Sequence, residues 1–203
     1  LRELLERGSI KTFAVICPPH LCEQWQNELR DKLDIEAVII RSSTVAGLER
    51  KIVGDDTLNV FNYYPYKVVS IDYVKNGSTK MPAFIKDVPD LVIIDEAHTC
   101  TKNLDFKKSS QSQQRYELLE KIAANENQNL ILLTATPHSG KDGEFKSLLG
   151  LIKPDFENYN FSELETSEKR KVAAHFIQRK RKNIEKWLDE ETYFGLYEKA
   201  DEI

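Results

Sequence analysis

The chain has 203 residues, 40% of them hydrophobic and 9% aromatic, enough for one substantial core with a small appendage but not for two full domains. Its formal net charge of -4 excludes a globally basic nucleic-acid coat and leaves only local basic faces for such a partner. The three cysteines, Cys17, Cys22 and Cys100, lack CxxC spacing, which argues against a disulfide framework or a zinc site. No apolar run approaches the roughly 20 residues of a membrane span, so the expectation is a cytoplasmic protein without a membrane partner.

Leu1 to Arg7 read as the tail of an amphipathic helix stopped by Gly8, as if cut from something longer, and they are too charged for a signal peptide. Phe13–Cys17 is an apolar run of strand length that Pro18-Pro19 ends. Leu21, Trp25, Leu29 and Leu33 recur every four residues and form the inward stripe of a helix, which places Trp25 in the core rather than against a base. Glu36–Ile40 predicts the next strand, and Ser43 or Thr44 caps a helix through about Val53 with Val45, Leu48 and Ile52 inward. Asp55-Asp56 and Asn62 mark loops. Tyr66–Ile71 reads as a strand, followed by a short helix stopped near Asn76-Gly77 and an amphipathic piece from Met81 to Val88 that Pro89 ends.

Leu91–Ile94 has no polar alternation, as expected for a central parallel strand covered on both faces, and it runs directly into Asp95, Glu96 and His98. Thr99 to Gln114 is polar and aperiodic, so it reads as a surface loop. Tyr116, Leu119, Ile122 and Ala123 mark a helix, Asn129–Leu133 a further strand ending in Thr134-Ala-Thr136-Pro137, and Asp142 caps a helix reaching Leu151. A last amphipathic helix carries Val172, Ala173, Phe176 and Ile177, before the basic run Arg179–Lys182 and a charged tail containing Trp187.

Strands alternating with helices, with polar groups at successive strand ends, predict a parallel doubly wound α/β sheet flanked by helices whose functional residues share one edge. Two carboxylates at that edge can hold a hydrated Mg²⁺ and polarise a water for attack on a phosphate; an Asp-Glu pair can also simply cap the next helix. Ser70 can meet a phosphate or just end its strand. Pro18, His20 and Gln24 surround a strand-to-helix turn whose free N–H groups suit a phosphate, or they form an ordinary turn. Arg179–Lys182, His138 and Lys141 are either phosphate contacts or solvated charges.

In order, Phe13-Ala-Val-Ile-Cys-Pro-Pro-His-Leu-Cys-Glu-Gln-Trp25, Val69-Ser-Ile-Asp-Tyr73, Asp95-Glu-Ala-His98 and Leu132-Leu-Thr-Ala-Thr-Pro-His-Ser-Gly140 resemble motifs Ia, Ib, II and III of the Swi/Snf-like DNA translocases of helicase superfamily two. The resemblance implies a first RecA-like lobe over 1–154 and, over 155–203, a helical extension leading toward a second lobe. It implies ATP and Mg²⁺ as cofactors, with Asp95 and Glu96 as metal and water-positioning carboxylates and His98 as their link to motif III. Thr134 and Thr136 become coupling residues, and Pro18, His20, Gln24 and Ser70 contacts to double-stranded DNA. The implied partners are that DNA, the second RecA-like lobe, and proteins of a bacterial DNA-processing or phage-defence system. The family's glycine-rich Walker A loop has no counterpart: Gly8-Ser-Ile-Lys-Thr12 precedes a strand where such a loop must follow one. By analogy the phosphate-gripping lysine falls roughly ten residues before Leu1, so these residues alone are expected not to hydrolyse ATP. A non-catalytic DNA-binding or interaction module is the competing expectation. An RNA helicase fits motifs Ia and III less well, and no G-x-S-x-G elbow suggests an α/β hydrolase.

Overall fold

The computed structural model describes all residues except 55–56, 76, 103–109, 126, 136–141, 161–162 and 178–203. Leu1–Tyr159 form one compact unit and Asn160–Ile203 a second. In the first, helix α1 (Arg2–Glu6) leads into strand β1 (Phe13–Cys17), a 3₁₀ turn (Pro19–Leu21) and helix α2 (Cys22–Leu33). Then come β2 (Val38–Ile40), α3 (Val45–Glu49), α4 (Val60–Tyr63), β3 (Tyr66–Ser70), α5 (Ile71–Val74) and α6 (Gly77–Lys86). Strand β4 (Leu91–Ile94), a 3₁₀ turn (Ala97–Cys100), α7 (Ser110–Ala123), β5 (Asn129–Leu132), α8 (Asp142–Ile152) and a 3₁₀ turn (Pro154–Asn158) complete it. In the second unit, α9 covers Thr166–Ala173.

All four strand pairings are parallel, in the order β2-β3-β1-β4-β5. Every residue of β1 and β4 is buried, as the unalternated apolar runs require. Successive side chains still separate to opposite faces. Phe13, Val15, Leu91 and Ile93 meet α1 and α2 on one side, while Ala14, Ile16, Val92 and Ile94 meet the helices α3 to α8 on the other. Each such fully buried aliphatic or aromatic side chain contributes roughly 1.5–3 kcal/mol, so these two central strands are the stable frame on which the site is mounted.

The chain reverses direction across the sheet between β1 and β4. The connection leaving β1 runs through α2 on one face, and that leaving β4 runs through α7 on the other. Crossovers that part to opposite faces leave a crevice beyond the strand ends, the place where open α/β sheets bind ligands.

Several expected boundaries move. The loop expected through Gln114 gives way to helix from Ser110, because Gln111 and Arg115 are drawn onto Lys75 and Asp72 of the neighbouring segment. Asn62 lies in a helix rather than a loop: the Asn59 side chain accepts from the Phe61 and Asn62 N–H groups while Asn62 returns a bond to the Asn59 N–H. Strand β3 ends at Ser70 and the short α5 stops at Val74, as expected, whereas the piece expected from Met81 begins earlier, with α6 starting at Gly77 and Pro82 inside it. Helix α3 ends at Glu49, short of Val53, although Val45, Leu48 and Ile52 still pack on the core. In α9 the helix ends at Ala173, so Phe176 and Ile177 lie past it and Ile177 is 84% exposed.

Candidate active site

The alternation along β4 decides where its terminal acid points. Leu91 and Ile93 face α2, and Asp95, two residues further, keeps that phase. Its backbone N–H still donates to the Ile16 carbonyl at 2.9 Å, which ties the acid to the end of β1. One carboxylate oxygen, Oδ1, accepts from the Glu96 N–H at 2.9 Å, and the other, Oδ2, accepts from the Trp25 indole Nε1–H at 2.7 Å. The second bond ties α2 to the end of β4 and joins residues 70 positions apart.

Glu96 then departs from the strand. Its φ of 52° and ψ of 43° lie in the left-handed region, which a long side chain occupies at a cost of about 1–2 kcal/mol. Hydrogen bonds on both sides hold it there: Ala97 N–H donates to the Leu133 carbonyl at 2.9 Å, and Leu133 N–H donates to the Ile94 carbonyl at 2.8 Å. Strained residues held by surrounding structure concentrate at functional sites. The turn also brings the Glu96 carboxylate to His98, whose Nδ1 lies 3.1 Å from Glu96 Oε2 and 3.0 Å from Thr134 Oγ1. With the proton on Nδ1, the imidazole donates to the carboxylate and the hydroxyl together. Glu96, His98 and Thr134 thus form one polar chain from the end of β4 to the end of β5, and all three are half-buried.

On the β1 side, the corner at Pro18 is closed by two buried thiols. Cys17 and Cys22 Sγ atoms lie 3.7 Å apart, and the Cys22 hydrogen bond together with burial pushes the Cys17 thiol far above its ordinary range. Pro18 is half-buried, while His20 and Gln24 are exposed on the turn and the first turn of α2. Ser70, paired in register with Cys17, is only 2% exposed. Thr136, with His138, Lys141, Arg179–Lys182 and Trp187, lies outside the described residues. The geometry therefore joins Asp95, Glu96, His98 and Thr134 directly, and places Pro18 and Ser70 at the same sheet edge.

Sequence reading assigned Trp25 to the core, and its partial burial agrees, but it missed the indole's bond to Asp95. A signal was present: Trp25 is the first inward aromatic of the helix that follows β1, and a buried indole N–H needs an acceptor.

The residues also suit a hydrated Mg²⁺. Both carboxylates are half-buried oxygen acceptors, and one is held in orientation by two donors. Among the described residues no cluster of three or more His, Cys, Asp or Glu could cage a metal. A cation that keeps most of its waters needs only one or two such carboxylates together with substrate phosphates.

Such an open parallel sheet, with paired acids at the crevice between β1 and β4, is a RecA-like α/β lobe. The sequence profile of the SNF2-related domain matches residues 3–189, and the chain belongs to that family. It is 30% identical over 182 residues to a protein of Bacillus subtilis (strain 168) named uncharacterized ATP-dependent helicase YqhH, covering 86% of this chain and 27% of the relative. It is 24% identical over 176 residues to the RNA polymerase-associated protein RapA of Actinobacillus pleuropneumoniae serotype 3 (strain JL03), covering 85% and 18%. With RapA of Stutzerimonas stutzeri (strain A1501) the identity is 27% over 173 residues, covering 85% and 17%. The chain thus spans about a quarter or less of these relatives' length. Among the described residues, no helix is long and apolar enough to cross a membrane.

Proposed function

We propose that this chain is part of the first RecA-like lobe of an ATP-driven translocase acting on double-stranded DNA, with Asp95 and Glu96 serving the nucleotide. The observation that carries the reading is the polar chain from Glu96 through His98 to Thr134, mounted on adjacent strand ends beside the oriented carboxylate of Asp95. An acid pair that merely capped a helix would not need a strained backbone or a link to the next strand. The similarity to a protein named an ATP-dependent helicase supports the same reading.

In this mechanism Asp95 would hold a hydrated Mg²⁺, which when bound would supply charge neutralisation at the nucleotide phosphates, while Glu96 orients the attacking water and accepts its proton at a carboxylate oxygen. His98 fixes the Glu96 carboxylate through Nδ1 and relays its position to Thr134, while Thr136 extends the coupling segment. Such chemistry asks for positioning and electrostatics rather than covalent participation, so a few fixed side chains suffice.

The exposed His20 and Gln24 at the start of α2 meet the DNA backbone, Pro18 shapes their turn, and Ser70 ends the neighbouring strand. Contacts of this kind position a protein on a duplex without reading its sequence. In the proposed layout 1–154 belong to the first lobe, 155–203 lead toward a second RecA-like lobe, and that lobe supplies the remaining charge stabilisation. These 203 residues hold no glycine-rich loop placed after a strand, so in this reading they do not turn over ATP by themselves. The polymerase-associated naming of the RapA relatives makes a DNA-processing assembly the partner class to examine. ATPase measurements on the intact protein with duplex DNA, single-stranded DNA and RNA test the proposal: the duplex should stimulate most. Equal rates with all three, or greater stimulation by RNA, would count against a duplex translocase.

A further inference from the structure

We infer that Trp25 is a positioning residue for the Asp95 carboxylate, joining the helix after β1 to the metal-holding end of β4. The inference rests on the proposed role of Asp95 and adds a residue that this role does not require. The terminal torsion of an aspartate is broad, so nothing within the side chain chooses the plane of its carboxylate. Here two donors choose it. The Glu96 N–H takes Oδ1 at 2.9 Å, and the Trp25 indole takes Oδ2 at 2.7 Å, a length typical of a bond to an ionised acceptor. The first donor belongs to the adjacent residue and moves with Asp95. The second belongs to α2 and so fixes the carboxylate relative to a separate element.

Trp25 is well held for this task. It is one of the partly buried residues packed against the cluster that contains Phe13, Val15, Leu29 and Leu91, as are Leu21 and Leu33 on the same helix stripe. A planar indole wedged by packing delivers its N–H to one point, which a flexible donor such as lysine would not. Its helix also carries Gln24 and follows directly on the turn that exposes His20. Any displacement of the start of α2 is therefore transmitted to Asp95 through one hydrogen bond. With the carboxylate already oriented, less conformational freedom is lost when a hydrated cation binds.

The test replaces Trp25 in the intact protein by benzothienylalanine, which keeps the shape of the ring system and substitutes sulfur for the N–H. Affinity for a fluorescent ADP analogue is measured with and without Mg²⁺, and the ratio is the gain due to the metal. We expect this gain to fall roughly tenfold, the scale of a lost bond to a charged group, with metal-free affinity unchanged. Trp25→Phe should show the same loss of gain, and Asp95→Asn should abolish the gain. If Asp95→Asn abolishes the gain while benzothienylalanine leaves it intact, the role of Trp25 is overturned and that of Asp95 stands. If Asp95→Asn itself retains the gain, the carboxylate does not hold the metal and both readings fall. A uniform weakening with and without Mg²⁺ in the benzothienylalanine protein would show packing alone and would also overturn the inference.

Discussion

Lys67 offers a quantitative check on the packing of the sheet that carries the site. It lies in β3, between β1 and β2, and is 1% exposed although it is a lysine. Burial lowers its pKa from 10.5 to about 8, and the nearby Asp90 and Asp87 only partly oppose this. At about 1.36 kcal/mol for each pH unit, the drop amounts to about 3 kcal/mol of penalty on the charged form. The folded pKa lies below the unfolded one, so between pH 8 and 10.5 the unfolded chain holds a proton that the folded chain has released. Stability therefore rises with pH through that window, and below pH 8 the penalty is fully present. Lys67→Met keeps the unbranched stem and removes the charge. It should stabilise the chain by about 2–3 kcal/mol at pH 7, and the advantage should shrink as pH approaches 10. Urea unfolding of both proteins at pH 7.0 and 9.5 measures this, because groups common to the two cancel in the difference. An advantage independent of pH, or a destabilised variant, would refute the assignment of Lys67 as a buried, strained charge.

Thr134→Val removes the hydroxyl that meets His98 at 3.0 Å while keeping the shape of the side chain. Movement along duplex DNA per ATP consumed should fall, as read by strand displacement alongside phosphate release; an unchanged ratio would remove Thr134 from the coupling path. Asp72 holds both Lys75 at 2.7 Å and Arg115 at 2.8 Å, and these bonds outweigh burial to keep its carboxyl below its ordinary range. Asp72→Ala leaves the 3%-exposed Lys75 ammonium without its carboxylate; because Asp72 itself is 41% exposed, the cost should be screened to about 1–2 kcal/mol. Chemical denaturation measures it, and a loss under about 1 kcal/mol would mean the pair behaves as a surface bridge.

The fold was legible wherever apolar runs dominate. Phe13–Cys17 and Leu91–Ile94 carry their strand assignment in composition, because a strand buried on both faces leaves no room for alternation, whereas Asn129–Leu132 is an apolar run at the sheet edge with Ile131 41% exposed. Boundaries set by tertiary contacts were not legible. The first turn of α7 is polar on every side, and what makes it helical is the approach of Lys75 and Asp72 to Gln111 and Arg115. The caps on α4 depend on paired asparagines whose side chains suit a loop equally well.

For the site, sequence named Asp95, Glu96, His98 and Thr134 but not how they are joined. The left-handed turn at Glu96 has no signature in a Glu-Ala pair, yet it directs the carboxylate to His98. The Trp25 bond also needs three dimensions. Periodicity put the indole on the inward face of α2, but only the packing of α2 onto the sheet face shared by β1 and β4 residues brings it to Asp95.

The central claim is that the acid pair at the end of β4 serves ATP hydrolysis, and Glu96→Gln in the intact protein tests it most directly. The substitution keeps size and hydrogen-bonding length and removes the group that takes the proton from water. ATP binding should persist near the wild-type affinity, while hydrolysis stimulated by duplex DNA should fall by at least about a hundredfold, the lower range for loss of a general base. Turnover near the wild-type rate with ATP bound would contradict the assignment of Glu96 and, with it, the reading of this site.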